Sequence, residues 1–284
     1  VWDNKGFPTA WSQPVIIEAG LLNPEDWTAR FISPEATPAE NQEQPLPMLR
    51  GEFSVCPGLT QARLYITALG VYEAEINGNL VGDEVLAPGW TSYSHRLRYQ
   101  THDITKLIHE GENAIGVYLG DGWYRGRIGF GGGKKAIWGE QLGLLAQLEL
   151  SFEDGSREIF ATDQDWRSST SPILSSSLYD GESYDARLEQ TGSSEPGFDN
   201  SNWASVNVLD QDLSILFAPE GPPVRCTQTL SPIDIIESSS GSKILDFGQN
   251  LVGRLRIRVN GEAGDEVTLK HAEVLEDGQL CLWP

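Results

Sequence analysis

Gly70–Phe130 reads GVYEAEINGNLVGDEVLAPGWTSYSHRLRYQTHDITKLIHEGENAIGVYLGDGWYRGRIGF, and this stretch decides the fold class. Tyr72, Ala74 and Ile76 alternate with Glu73, Glu75 and Asn77. Apolar residues at every second position mark a half-buried strand. Asn77-Gly78 then predicts a hairpin turn, because both residues tolerate a positive φ. Asp103–Ile108, followed by Glu110–Asn113, reads as a turn or loop leading into a strand over Ala114–Leu119. Between these elements lie the acidic step Asp83-Glu84 and the aromatics Trp90, Tyr93, Tyr99, Trp123 and Tyr124, with Gly120, Gly122 and Gly126 around the last two. The five rings are expected to be exposed. Flat rings beside carboxylates on flexible loops suit a sugar, whose C–H face stacks on an aromatic while its hydroxyls take polar partners.

Outward from this stretch the pattern stays β. Leu64, Ile66 and Ala68 alternate with Arg63, Tyr65 and Thr67. Leu142–Leu150 reads as a strand, and Glu153-Asp154-Gly155 turns the chain into Arg157–Thr162. Many short strands separated by Gly and Pro turns predict all-β sandwiches. Phe198 and Trp203 are expected to be core rings capping one end. Pro219, Pro222 and Pro223 make Ala218–Pro223 the best domain boundary, since proline removes backbone donors and favours extended chain. Beyond it Leu255, Ile257 and Val259 alternate with Arg254, Arg256 and Arg258, predicting a second sandwich that is expected to be incomplete at Leu282-Trp283-Pro284. Residues 1–24, with the β run Val15–Ile17, resemble the last hairpin of a fibronectin-like module and are expected to pack on the following domain. The expected divisions are therefore 1–24, 25–218 and 219–284.

The chain has 284 residues, 20 basic and 41 acidic, a net charge of −21 and a pI near 4.4. Such a surface repels phosphate backbones and anionic lipid, so neither nucleic acid nor membrane is an expected partner. Cys56, Cys226 and Cys281 are far apart and form no CxxC pair, which excludes zinc and redox motifs of that type. No apolar run is long enough to cross a membrane as a helix. The opening Val1-Trp2-Asp3-Asn4 lacks the regions of a signal peptide, and both a cytoplasmic and a secreted location fit.

Calcium takes six to eight hard oxygens, and Asp83, Glu84 and the loop Gly129–Trp138 are its candidate donors. Trp90, Trp123, Tyr124 and Trp138, each with glycine close by, are the candidate sugar-stacking rings. A glycosidase needs two carboxylates across a cleft. Asp83, Glu84, Asp121, Asp180, Glu182 and Asp185 supply candidates, but no pattern marks a pair among so many acids. Asp185 is expected to pair with Arg187 or another nearby arginine. His95 and His102 read as solvated loop residues. No G-x-S-x-G elbow is present, and Gly120-Asp121-Gly122, with no clear helix after it, is not a nucleotide loop.

The segments VWDNKGFPTAWS, GVYEAEINGNLVGDEVLAPGWTSY, LGDGWYRGRIGF, SLYDGESYDARLE and ILDFGQNLVGRLRIRVNGEAGDEVTLKHAEVLEDGQL together resemble the bacterial α-L-rhamnosidases. The resemblance implies an N-terminal portion: a galactose-binding-like jelly roll followed by the start of a second sandwich, cut before the α/α barrel that carries catalysis in that family. It implies no catalytic residue here, and partners in the missing barrel and in rhamnose-containing glycosides. It further implies a calcium-assisted rhamnose site whose family Asp-Asn step corresponds here to Asp83-Glu84. Glutamate can bind calcium but cannot donate an amide hydrogen bond. Two rival readings are a stand-alone lectin module and an intact enzyme using the acids of Tyr179–Arg187.

Overall fold

The computed structural model describes residues 1–15, 17–35, 45–238 and 240–282. Ile16 of the Val15–Ile17 run, and Trp283 and Pro284, lie outside the described residues. The strands of the main body are β1 Ile32–Pro34, β2 Pro47–Val55, β3 Leu59–Leu69, β4 Val71–Ile76, β5 Asn79–Leu80, β6 Leu97–Arg98, β7 Gln100–Asp103 and β8 Gly111–Gly120. A single helical turn, α1 Gly122–Arg125, follows. Then come β9 Gly143–Phe152, β10 Arg157–Ala161, β11 Arg167–Thr170, β12 Ile173–Ser177, β13 Gly181–Tyr184, β14 Ala204–Val208 and β15 Leu216–Phe217. The protein is all-β, and its main body is a jelly-roll sandwich.

One hydrogen-bonded path runs β5-β4-β8-β2-β11-β14-β1-β9-β3-β7, with β10 added at β9. It folds on itself at β14, which pairs β11 through Ala204 and Ser205 and β1 through Val206–Val208. The apolar residues of the facing strands meet between the two halves. Ala62, Leu64, Ile66 and Ala68 of β3 and Leu144, Leu148 and Leu150 of β9 oppose Ile115, Val117 and Leu119 of β8 and Ala74 and Ile76 of β4. Alternation along each strand thus places one apolar row inward. On β3 the outer row is covered too, since Trp27 packs edge-on against Tyr65 and Tyr99 at 6.3 and 5.2 Å. Asn77 (φ 51°) and Gly78 (φ 74°) form the expected turn between Ile76 and Asn79. The Asn77 side chain also donates to Asn113 Oδ1 at 2.7 Å and accepts from Ala114 N at 2.9 Å, tying the turn to β8.

The packing expected of residues 1–24 needs correction, whereas the second sandwich is incomplete, as expected, although the strand expected over 254–259 does not form. Residues 1–15 and 17 are exposed, Trp11 almost fully at 99%, so packing on the body begins only at Glu18. There Glu18 pairs with Arg63 at 2.8 Å, and Leu21 accepts the Tyr99 hydroxyl at 2.8 Å. A two-stranded contact such as the Trp2–Pro8 bridge has no third strand to bury a face against. Beyond Pro223 the strands among the described residues form two small hairpins: β16 Asp234–Glu237 with β17 Lys243–Asp246, and β18 Leu275–Glu276 with β19 Gln279–Leu280. Residues 249–272 form no strand, and Leu255, Ile257 and Val259 stand exposed. The apolar alternation is there, but among the described residues no neighbouring strand supplies the ladder bonds.

Candidate carbohydrate-binding site

After β5 the chain crosses the end of the sandwich. Gly82 (φ 72°) passes so close to the His102 ring that a Cβ would lie 2.8 Å from its Cε1. His102 is not a solvated loop residue. It sits on β7 opposite Leu64, and burial pushes its imidazole down to about 4, with Arg225 adding to the shift. Asp83 is exposed, and Arg225 Nε lies 2.7 Å from its Oδ1. Glu84 is half-buried and its carboxyl is pushed up by burial, with Arg225 opposing the shift and Asp83 adding to it.

The turn that follows presents Trp90, 53% exposed. It is pinned from below, as the Tyr93 hydroxyl donates to Gly89 O at 3.2 Å and Arg98 Nη1 to Trp90 O at 3.0 Å. On the neighbouring loop, α1 carries Trp123, with Arg125 closing back on Asp121 at 2.6 Å. The two indoles are parallel, their planes 2° apart and their centroids 6.2 Å apart. Such a turn of helix after Gly120-Asp121 is the element that the glycine-rich sequence concealed.

Tyr93, Tyr99 and Tyr124 were expected to be exposed, and all three are buried. Tyr124 meets Tyr93 edge-on at 5.1 Å, and Trp138 tilts against Tyr93 at 5.8 Å. Burial raises the Tyr93 phenol to about 12 and that of Tyr124 in the same direction. Tyr93, Tyr124 and Trp138 form an apolar floor, and Gly139 approaches the Tyr124 hydroxyl so closely that a Cβ would lie 2.0 Å from it. Tyr124 is therefore placed as support for the Trp90–Trp123 pair rather than as a ligand surface. Trp138 is half-buried, and its Nε1 has no hydrogen-bond partner among the described residues. Phe198 and Trp203 do pack together, edge-on at 5.9 Å, with Trp203 buried.

Of the remaining acidic candidates, Asp121, Asp180 and Asp185 are engaged by arginines. Asp185 pairs with Arg187 at 2.6 Å, as the sequence suggests, and Asp180 pairs with Arg127 at 2.6 Å. Both carboxyls are held below the usual range by those guanidiniums, which suits neither to donating a proton. The loop Gly129–Trp138 contains Lys134 and Lys135 and no carboxylate. Among the described residues no group of three His, Cys, Asp or Glu side chains could hold a metal ion. With Arg225 on Asp83, the Asp83-Glu84 step as it stands does not fit calcium. Sequence reasoning missed Arg225 and Arg127, since nothing local to either points to its partner.

The fold is a jelly-roll β-sandwich with a parallel indole pair at one end, Trp90 exposed and Trp123 half-buried. The family described as the α-L-rhamnosidase N-terminal domain matches residues 58–228, and the bacterial α-L-rhamnosidase concanavalin-like domain matches residues 236–281. The crystal structure of the native α-L-rhamnosidase from Aspergillus terreus is 46% identical, with a TM-score of 0.93, over 99% of this chain and 33% of that one. The Streptomyces avermitilis α-L-rhamnosidase complexed with L-rhamnose is 44% identical, with a TM-score of 0.80, over 84% of this chain and 23% of that one. An α-L-rhamnosidase of Alteromonas sp. is 36% identical over 98% of this chain and 31% of its own length. The chain belongs to the α-L-rhamnosidase family, as its N-terminal portion. It spans about a quarter to a third of the length of these relatives.

Proposed function

We propose that this chain is the non-catalytic part of an α-L-rhamnosidase that removes terminal α-L-rhamnose, and that its first role is to support the catalytic barrel. The observation that carries this reading is the apolar surface after Pro223. Val252, Leu255, Ile257, Val259, Val267 and Leu269 follow a strand-like pattern yet are all exposed. Several large apolar side chains left exposed in one segment suit an interface, and further chain of the same enzyme is its natural cover.

A second role is weak binding of terminal rhamnose on the Trp90–Trp123 pair. Rings held rigidly from below lose little entropy when a ligand stacks on them. Calcium is not part of this reading, because the step expected to hold it is occupied by a guanidinium. Titration of methyl α-L-rhamnoside into the purified chain, alongside an aryl rhamnoside hydrolysis assay, tests both roles. The expected result is weak binding that Trp123→Ala abolishes, with no turnover. Turnover by chain free of contaminating glycosidase overturns the non-catalytic reading, and the absence of binding removes the platform while leaving the scaffold.

A further inference from the structure

The Pro-rich segment Ala218–Pro223 reads as a flexible boundary, yet the chain is fastened on both sides of it. Before it, β15 pairs in parallel with β6, and Arg96 lies over the Phe217 ring at 4.1 Å while reaching Glu220 at 3.2 Å. After it, Glu84 and Arg225 form an antiparallel bridge, and Val85 N donates to Val224 O at 2.9 Å. Arg225 then turns its guanidinium onto Asp83 at 2.7 Å. A hard cation needs six to eight oxygens. This step offers two carboxylates, one already taken, with the His102 ring packed against Gly82 on the inner side. The guanidinium supplies a positive charge in a rigid donor fork and brings its own tether.

We infer that Arg225 is a built-in cation that takes the place of a divalent ion at the Asp83-Glu84 step, so that this loop is ordered without calcium and latches the chain after Pro223 to the jelly roll. This inference is independent of the sugar platform. The Asp83–Arg225 pair is largely solvent-exposed, and such pairs alone contribute little. The latch therefore depends on the pair acting together with the two backbone contacts. It also gives the second β region a fixed starting point on the first.

Amide hydrogen exchange of the whole chain, read over residues 82–86 and 224–226, tests the inference with ~2 mM calcium and with chelator, enough to fill an extracellular-type site. In the unaltered chain, exchange and melting temperature are expected to be the same in both conditions. Arg225→Gln should speed exchange in both segments about threefold, the size of a lost surface pair, while Arg225→Lys restores part of the protection. Calcium that slows exchange at 82–86 in the unaltered chain, or raises its melting temperature by several degrees, overturns the replacement of the ion. Unchanged exchange in Arg225→Gln overturns the latch. Arg225 is half-exposed, so the variant is expected to fold, and the calcium arm on the unaltered chain needs no variant.

Discussion

Strand β3 and the segment 254–259 carry the same pattern and meet opposite fates. In β3, Leu64 and Ile66 are completely buried, whereas Leu255, Ile257 and Val259 are 38–56% exposed. Among the described residues, the buried apolar set beyond Val206 is Ile244 alone. Alternation states which face of a strand is apolar, but it does not state what will cover that face. In residues 27–217 the cover is in the same chain, because β14 folds one half of the sheet path onto the other. After Pro223 the described residues provide none. The contrast is one of partners, not of composition.

The sharpest way to break this contrast is to remove a core side chain. Leu148 faces Leu64 across the β3–β9 ladder and is fully buried. Leu148→Ala should cost about 3 kcal/mol, the lost transfer energy plus a cavity, measured by urea denaturation. A cost below ~1 kcal/mol would mean that the main body is as loosely packed as the segment after Pro223. Next in size is Arg50, buried to 1% exposure. It pairs with Glu52 and donates to Ser193 O at 2.8 Å and Glu195 O at 2.7 Å, holding the 193–197 loop against β2. Arg50→Ala leaves two carbonyls with a donor missing and should cost about 2 kcal/mol. Exchange in 193–197 should rise first.

Smaller still is the pH dependence set by His102. Its folded value is lowered from 6.5 to about 4, so between those values the unfolded chain binds a proton that the folded chain refuses. Stability is then undiminished above 6.5 and falls as pH drops through the window toward 4. Partial exposure of the ring reduces the full linkage term to about 1–2 kcal/mol. His102→Gln should flatten that part of the profile relative to the unaltered chain between pH 7 and 4. Identical slopes for the two proteins would show that the imidazole is freely solvated in both states.

Much of the main body was legible because its signals are local. Asn77-Gly78 encodes its turn in two residues, and β3, β4, β8 and β9 each announce an apolar row. The rings were harder to read. Sequence placed Trp90 and Trp123 among the candidates one by one, but only the pairing of β4 with β8 brings the two loops together. Tyr93, Tyr99 and Tyr124 looked alike in sequence, yet Tyr93 and Tyr124 ended as floor and Tyr99 packed against Trp27 and Tyr65 on the outer face of β3. Arg225 was invisible for a different reason. It lies across a proline-rich boundary from Asp83, and no periodicity links them. The result is a step with the right carboxylates for a cation and a cation already supplied.

The smallest expected effect separates the two regions most cleanly. Leu255→Ser changes an exposed leucine in a segment without ladder bonds, so in this chain it should shift stability by no more than ~0.5 kcal/mol, the range of ordinary surface substitutions. Placed in a longer rhamnosidase where further strands cover this face, the same change should cost roughly 2–3 kcal/mol, as for a buried leucine. Denaturation of both proteins, each with and without the substitution, gives the comparison directly. A large cost in this chain would mean that Leu255 already has cover here. A negligible cost in both would mean that its face stays wet in the whole enzyme, which would remove the main support for the scaffold role.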